Sequence, residues 1–135
     1  MLDGIISILN QDLSVLFYSS YLAEKNDWDF IYGMERDDNG LIYLTGHRIS
    51  PDYPTMENSF DNEDNGVGGQ RNDNNVFVTI INDELSEIES STFLWEGRGF
   101  DIGYNIPKSK DSKFIITVTI KSSYFPTTIG AYDST

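Results

Sequence analysis

Downstream of Asp29 the apolar residues recur at every second position, and this period limits the chain more than any other feature. Phe30–Glu35 and Leu41–Gly46 are two such runs, separated by Asp37-Asp38-Asn39-Gly40. A cluster of Asp, Asn and Gly supplies the left-handed backbone positions that a hairpin turn needs. Val76–Ile81 (VFVTII) is apolar on both faces and reads as an inner strand. Phe114–Lys121 (FIITVTIK) alternates cleanly, with Phe114, Ile116, Val118 and Ile120 on one face. Phe93–Trp95 and Asp101–Ile106 flank a further turn at Glu96-Gly97-Arg98-Gly99. Period-two runs joined by short turns specify an antiparallel sheet of four to five strands.

Upstream of Asp29 the spacing reads differently. Leu2, Ile5, Ile6, Leu9, Leu13, Leu16 and Phe17 fall at helical intervals, with Asp3, Ser7, Asn10 and Ser14 opposite them. The pattern predicts an amphipathic helix over Leu2–Phe17, packed on one face of the sheet. Gly4 and the β-branched Ile5 and Ile6 are poor helix formers, so packing has to hold it. Asp83–Ser91 (DELSEIESS) reads as a short helix or a plain loop between strands. The expected fold class is therefore α+β. At 135 residues the chain is a single domain, with no internal duplication, an extended acidic loop over 50–75 and an irregular tail over 122–135.

The loop Ser50–Asn75 is the least ordinary segment. From Glu57 onward it is nearly all Asn, Asp, Glu and Gly, with Phe60 and Val67 as its large apolar groups. Ordering a backbone costs about 1–2 kcal/mol per residue, more than this composition offsets by burial. Such a loop orders when something outside the domain holds it: a neighbouring subunit first, a metal ion second. Tyr53, Met56 and Phe60 are its candidate interface anchors.

Charge narrows the partners. The formal net charge is −13, which disfavours nucleic acid and anionic lipid, because both require a basic face. Residues 1–104 carry 20 acidic and 5 basic side chains, whereas 105–135 carry four lysines against Asp111 and Asp133. Lys108, Lys110 and Lys113 make that end a candidate contact for the acidic body of another copy. The alternative is that these lysines protect an exposed strand edge.

Candidate chemistry is sparse. The chain has no cysteine, so disulfides, Cys-zinc sites and thiol catalysis are excluded. Asp61, Glu63, Asn65 and Gly66 occupy positions of an EF-hand loop, but Asn72 stands where its bidentate Glu belongs. A looser calcium loop stays open as an alternative, and no metal or cofactor is assigned. The single histidine, His47, has no nucleophile-elbow sequence to serve. Gly66-Val67-Gly68-Gly69 precedes a strand and so is not a phosphate cradle. Trp28, Tyr32, Tyr43, Tyr53 and Trp95 are candidates for stacking on sugar rings. No catalytic residue is assigned.

In its order of parts, a short N-terminal helix, a hairpin, a long acidic loop, a three-strand run and an irregular tail, the chain resembles small head-to-tail joining or tail-terminator proteins of tailed bacteriophages. That resemblance implies α+β subunits that form rings, with long loops lying on neighbouring subunits. It implies a non-enzymatic structural subunit whose partners are other copies of itself and other virion proteins. No leader and no run of about 18 apolar residues is visible. The expectation is a protein made in the host cytoplasm and carried in the virion, without a membrane or nucleic-acid partner. The alternative is a calcium- or carbohydrate-binding β-rich module.

Overall fold

The computed structural model describes residues 3–22, 28–50, 53–62, 74–95, 99–121 and 125–133, except for the side chain of Trp95. Every regular element among them is a strand: β1 (Ile5–Leu9), β2 (Leu16–Tyr21), β3 (Asp29–Arg36), β4 (Ile42–Arg48), β5 (Asn75–Ile81), β6 (Ile88–Trp95), β7 (Ile102–Asn105) and β8 (Thr117–Thr119). The protein is all-β, and this overturns the α+β expectation. β3-β4-β5-β6 form the principal antiparallel sheet, and β1-β2 and β7-β8 form two further antiparallel pairs.

The expected helix over Leu2–Phe17 is instead the β1-β2 hairpin, paired from Ile5↔Tyr21 through Ile8↔Tyr18 to Leu9↔Leu16. Its run Ile5-Ile6-Ser7-Ile8-Leu9 fits both periods, and three facts decide for the strand. The isoleucines favour extended backbone. Gly4 weakens any helical start. Asn10 then closes a turn, its side-chain carbonyl accepting the N–H groups of Ser14 (2.9 Å) and Val15 (3.0 Å). Asp83–Ser91 is likewise no helix. Asn82 makes the same turn, accepting from Ser86 at 2.9 Å and Glu87 at 3.2 Å, and β6 begins at Ile88.

These two turns share a short sequence, Asn10-Gln-Asp-Leu-Ser and Asn82-Asp-Glu-Leu-Ser. In both, the Leu N–H reaches back to the Asn carbonyl at 3.1 Å, and the leucine takes a left-handed conformation, φ 60° at Leu13 and 55° at Leu85. The Asp37 and Ser109 turns follow the same plan with Gly40 (φ 93°) and Ser112 (φ 63°) in the left-handed place.

β4 is buried along its whole length, and its two faces look onto different layers. Ile42 and Leu44 join Phe77, Ile81, Phe93, Leu85 and Tyr53 in a core that Ile6, Ile8 and Leu22 of the N-terminal hairpin help to close. Tyr43, Thr45 and His47 point the other way, toward residues 99–118. There Tyr43 stacks on Phe114 at 3.8 Å. β7 approaches the sheet so closely that a Cβ on Gly103 would collide with Thr45 Oγ1 and lie 3.0 Å from Val76 Cγ1.

The acidic loop is partly held by its own domain. Met56 N–H bonds the Ser91 carbonyl at 3.0 Å and Phe93 N–H bonds the Asp61 carbonyl at 2.9 Å, so residues 56–61 run along β6. Residues 63–73 lie outside the described residues. In 125–133 no strand forms, and Ile129 and Tyr132 are fully exposed.

Three outcomes follow. Leu13 is 74% exposed and Leu85 7%, so Leu13→Gly should raise the unfolding free energy by about 0.5–1 kcal/mol by relieving its left-handed backbone. Leu85→Gly should lower it by about 1–3 kcal/mol, because lost burial outweighs that relief. Gly103→Ala should cost about 1–3 kcal/mol by overpacking the β7 contact. Urea titration measures all three.

Candidate functional site

The candidate interface residues separate into two groups. Tyr53 is a core residue. It is 4% exposed, stacks on Phe77 at 4.6 Å and shares a hydrogen bond with Thr79 Oγ1 at 2.8 Å. Burial raises its phenol well above 10. Met56 (38% exposed) and Phe60 (73%) remain at the surface. Lys108 pairs with Asp37 at 3.5 Å and Lys113 with Asp111 at 2.5 Å, so two of the three lysines already have acidic partners within the chain. Lys110 is exposed and lines a shallow cleft of about 360 Å³ with Glu35, Arg36, Asp38 and Lys108. Burial would raise Asp37, but N–H bonds from Asn39 and Leu41 and the Lys108 ammonium outweigh it and lower its carboxyl. The cleft mixes both signs of charge and selects neither anion nor cation.

Among the described residues no group of three His, Cys, Asp or Glu side chains is placed to hold a metal ion. Glu63, Asn65, Gly66 and Asn72 of the calcium reading, and Gly66–Gly69, lie outside the described residues.

Sequence reasoning missed the outer face of the N-terminal hairpin. Ile6 and Ile8 point into the core, so the alternate positions Ile5, Ser7 and Leu9 point away from it, with their partners Tyr21, Ser19 and Leu16. Ser7 and Ser19 share a hydrogen bond of 2.9 Å at the centre of that face. Around it Ile5 is 55% exposed, Leu16 57% and Tyr21 65%. Phe17, the extra residue of a bulge, is exposed as well, as are Leu13 and Val15 at the tip. The two apolar faces of the hairpin were read as one helical stripe.

A second feature lies on the β7 side of the sheet. His47 is buried, with ring centroids of Phe30 at 4.8 Å, Tyr32 at 5.5 Å and Phe100 at 5.7 Å. Tyr104 extends the row, 5.9 Å from Tyr32. Tyr32, Phe100 and Tyr104 are each close to half exposed. Among the described residues His47 Nδ1 has no hydrogen-bond partner, nor have Oδ1 and Nδ2 of Asn74. Asn74 precedes Val76, the register partner of His47, by two residues and so shares its face. Its backbone is tied to Gly99 and Asp101 and bridges Phe100. Of the aromatics considered for sugar stacking, Tyr43 and Tyr53 are buried, while Trp28 and Tyr32 are exposed. The Trp95 side chain lies outside the described residues.

Burial lowers the His47 imidazole from 6.5 to about 4. Asp29, on the far side of the sheet, is raised by burial against hydrogen bonds from Ser50, 2.6 Å away.

In comparisons with known proteins, no family model matches the chain and no curated sequence does.

The sign of the His47 effect gives a test. Below 6.5 the unfolded chain takes up the His47 proton before the folded one does, so folding loses stability as the pH falls from 6.5 to about 4 and then no further. His47→Phe should remove a loss of about 3 kcal/mol. Subtracting the two profiles of unfolding free energy against pH cancels the opposite contribution of Asp29. A flat difference would refute the assignment.

Proposed function

We propose that this chain is a non-enzymatic structural subunit of a larger assembly, and that the outer face of the β1-β2 hairpin joins it to another copy of itself. One observation carries this reading: an uncharged apolar face left bare on an otherwise acidic domain. Ile5, Leu9, Leu13, Val15, Leu16, Phe17 and Tyr21 all exceed 40% exposure. Together they expose on the order of 700 Å², above the ~300–600 Å² of the largest patch on a typical monomer and near the ~800 Å² per partner of a standard interface. Two-stranded hairpins are also marginal alone, so covering the second face stabilises the element itself.

The partner follows from charge. No ionisable carboxylate or cation lies between Leu13 and Leu22 apart from the tyrosine phenols, while the chain as a whole carries −13. Two copies repel through most of their surfaces and meet most favourably where charge is absent. The Ser7–Ser19 pair at the centre lets one such face meet its own copy across a two-fold axis without burying a charge.

A tailed-phage virion is the setting proposed for this assembly, with other virion proteins as further partners. It rests on the long acidic loop and irregular tail around a small domain, without the N-terminal helix of that layout.

Sedimentation velocity at micromolar concentration should show an oligomer. Phe17→Ser with Tyr21→Ser should shift it to monomer with little change in melting temperature, because both side chains are mostly exposed. A wild-type chain that sediments as a monomer at those concentrations would overturn the proposal.

A further inference from the structure

On the β7 side of the sheet, exposed rings and buried polar atoms without partners come together, on a surface the assembly reading does not use. Phe100, His47, Tyr32 and Tyr104 follow one another at centroid separations of 5.7, 5.5 and 5.9 Å. Successive rings are tilted by 49°, 36° and 42°, so the row is a twisted platform and not a closed box around a cation. Phe30 lies nearly parallel to Tyr32, at 8° and 6.1 Å, and backs the centre of the row.

On the same face of the sheet, His47 Nδ1 and both side-chain polar atoms of Asn74 lack hydrogen-bond partners among the described residues, although His47 is 3% exposed and Asn74 1%. Buried polar groups in folded proteins are almost always paired, and each exception calls for a water, an ion or a ligand. Here the set is an amide that both donates and accepts and an imidazole nitrogen. The carboxylate next to Phe100 in sequence, Asp101, accepts the Lys121 N–H at 2.7 Å. Phe100 packs beside the His47 ring, bridges the Asn74 backbone and is itself close to half exposed.

We propose that Tyr32, Tyr104 and Phe100, over His47 and Asn74, form a binding site for a neutral glycan. Flat rings receive the C–H faces of pyranoses, while a mixed donor and acceptor set matches hydroxyl groups, which do both. The net charge of −13 disfavours acidic sugars. The imidazole is neutral at physiological pH, so the floor of the site offers an anion no positive charge.

Isothermal titration calorimetry on the full chain tests this with cellohexaose, xylohexaose, mannohexaose and maltohexaose. An oligogalacturonate and a proline-rich peptide serve as the charged and peptide probes. At least one neutral hexaose should give a saturable heat at millimolar concentration or below, and the oligogalacturonate should give none. Tyr32→Ala and Tyr104→Ala should each weaken that binding about tenfold, and Tyr32→Phe by no more than about twofold. Both tyrosines are half exposed, so the melting temperature should hold and separate lost binding from lost fold. Asn74→Ala, which leaves the rings in place, should weaken binding as well. The proposal is overturned if none of the four neutral sugars binds, if binding survives both alanine variants unchanged, or if the peptide binds in their place. Hairpin variants that abolish self-association should bind the sugar normally, which keeps the two readings separable.

Discussion

A strand buried on both faces needs a cover on each, and β4 imposes that demand on the rest of the molecule. Every residue from Ile42 to Arg48 is buried. Ile42 and Leu44 require the core closed by the N-terminal hairpin, and Tyr43 and Thr45 require the layer around β7 and Phe114. The second cover fits because glycines remove the side chains that would hold it off. A Cβ on Gly33 would sit 2.8 Å from Asn105 Cα, and one on Gly103 would strike Thr45 Oγ1. These absences let backbones approach to a separation that no larger residue tolerates. Polar members of the strand are accommodated by pairing. Thr45 donates to the Phe77 carbonyl at 2.8 Å, and the Arg48 guanidinium lies 4.2 Å from the Phe93 ring centroid while bonding the Ser50 carbonyl.

The turns show how local chemistry supports this arrangement. Asn10 and Asn82 each use a side-chain carbonyl to take up N–H groups that a hairpin end leaves unpaired, and this fixes the chain reversal. The leucine that follows at positive φ is the strained member. At Leu85 the strain has a counterpart, because the side chain enters the core. At Leu13 it has none within the domain, and Leu13 belongs to the bare apolar face. A residue that is both strained and exposed accords with a contact made outside the monomer.

The hairpin face and the aromatic row lie on opposite sides of the central sheet and differ in chemistry. The first is apolar and uncharged, suited to a flat protein contact. The second sets rings above unpartnered neutral polar atoms, suited to a small hydroxylated ligand. A subunit with both could be held in an assembly through one side and present the other. The start of the acidic loop belongs to the domain: Tyr53 lies in the core and residues 56–61 lie along β6.

Much of the sheet was legible in the chain. The hairpin around Asp37–Gly40 and the inner strand Val76–Ile81 followed from period-two runs and turn residues, which act over a few positions and need no distant partner. Alternation in Phe114–Val118 also matches the half-buried and exposed positions found there, although only Thr117–Thr119 pairs as a strand. The N-terminal segment was not legible in this way. An apolar run that satisfies both periods cannot be read from its spacing: the β-branched isoleucines, Gly4 and the Asn10 turn decide for the strand, and the sheet face carrying Leu44 and Phe77 then covers it. The Asn-x-x-Leu-Ser echo was visible in the letters, but leucine does not announce a left-handed turn. Of the candidate site residues, Tyr53 looked like an anchor for a neighbour and proved to be core, because burial depends on long-range packing and not on loop composition. His47, Asn74 and Phe100 are far apart along the chain, and only sheet register and the return of residues 99–101 beside Asn74 bring them together. The sequence alone determined the Asp37–Gly40 turn and the runs that can pair on either side of it, because those choices are made between near neighbours. Tertiary structure alone decided which apolar faces are covered and which polar atoms are stranded, because both depend on contacts between segments remote in sequence.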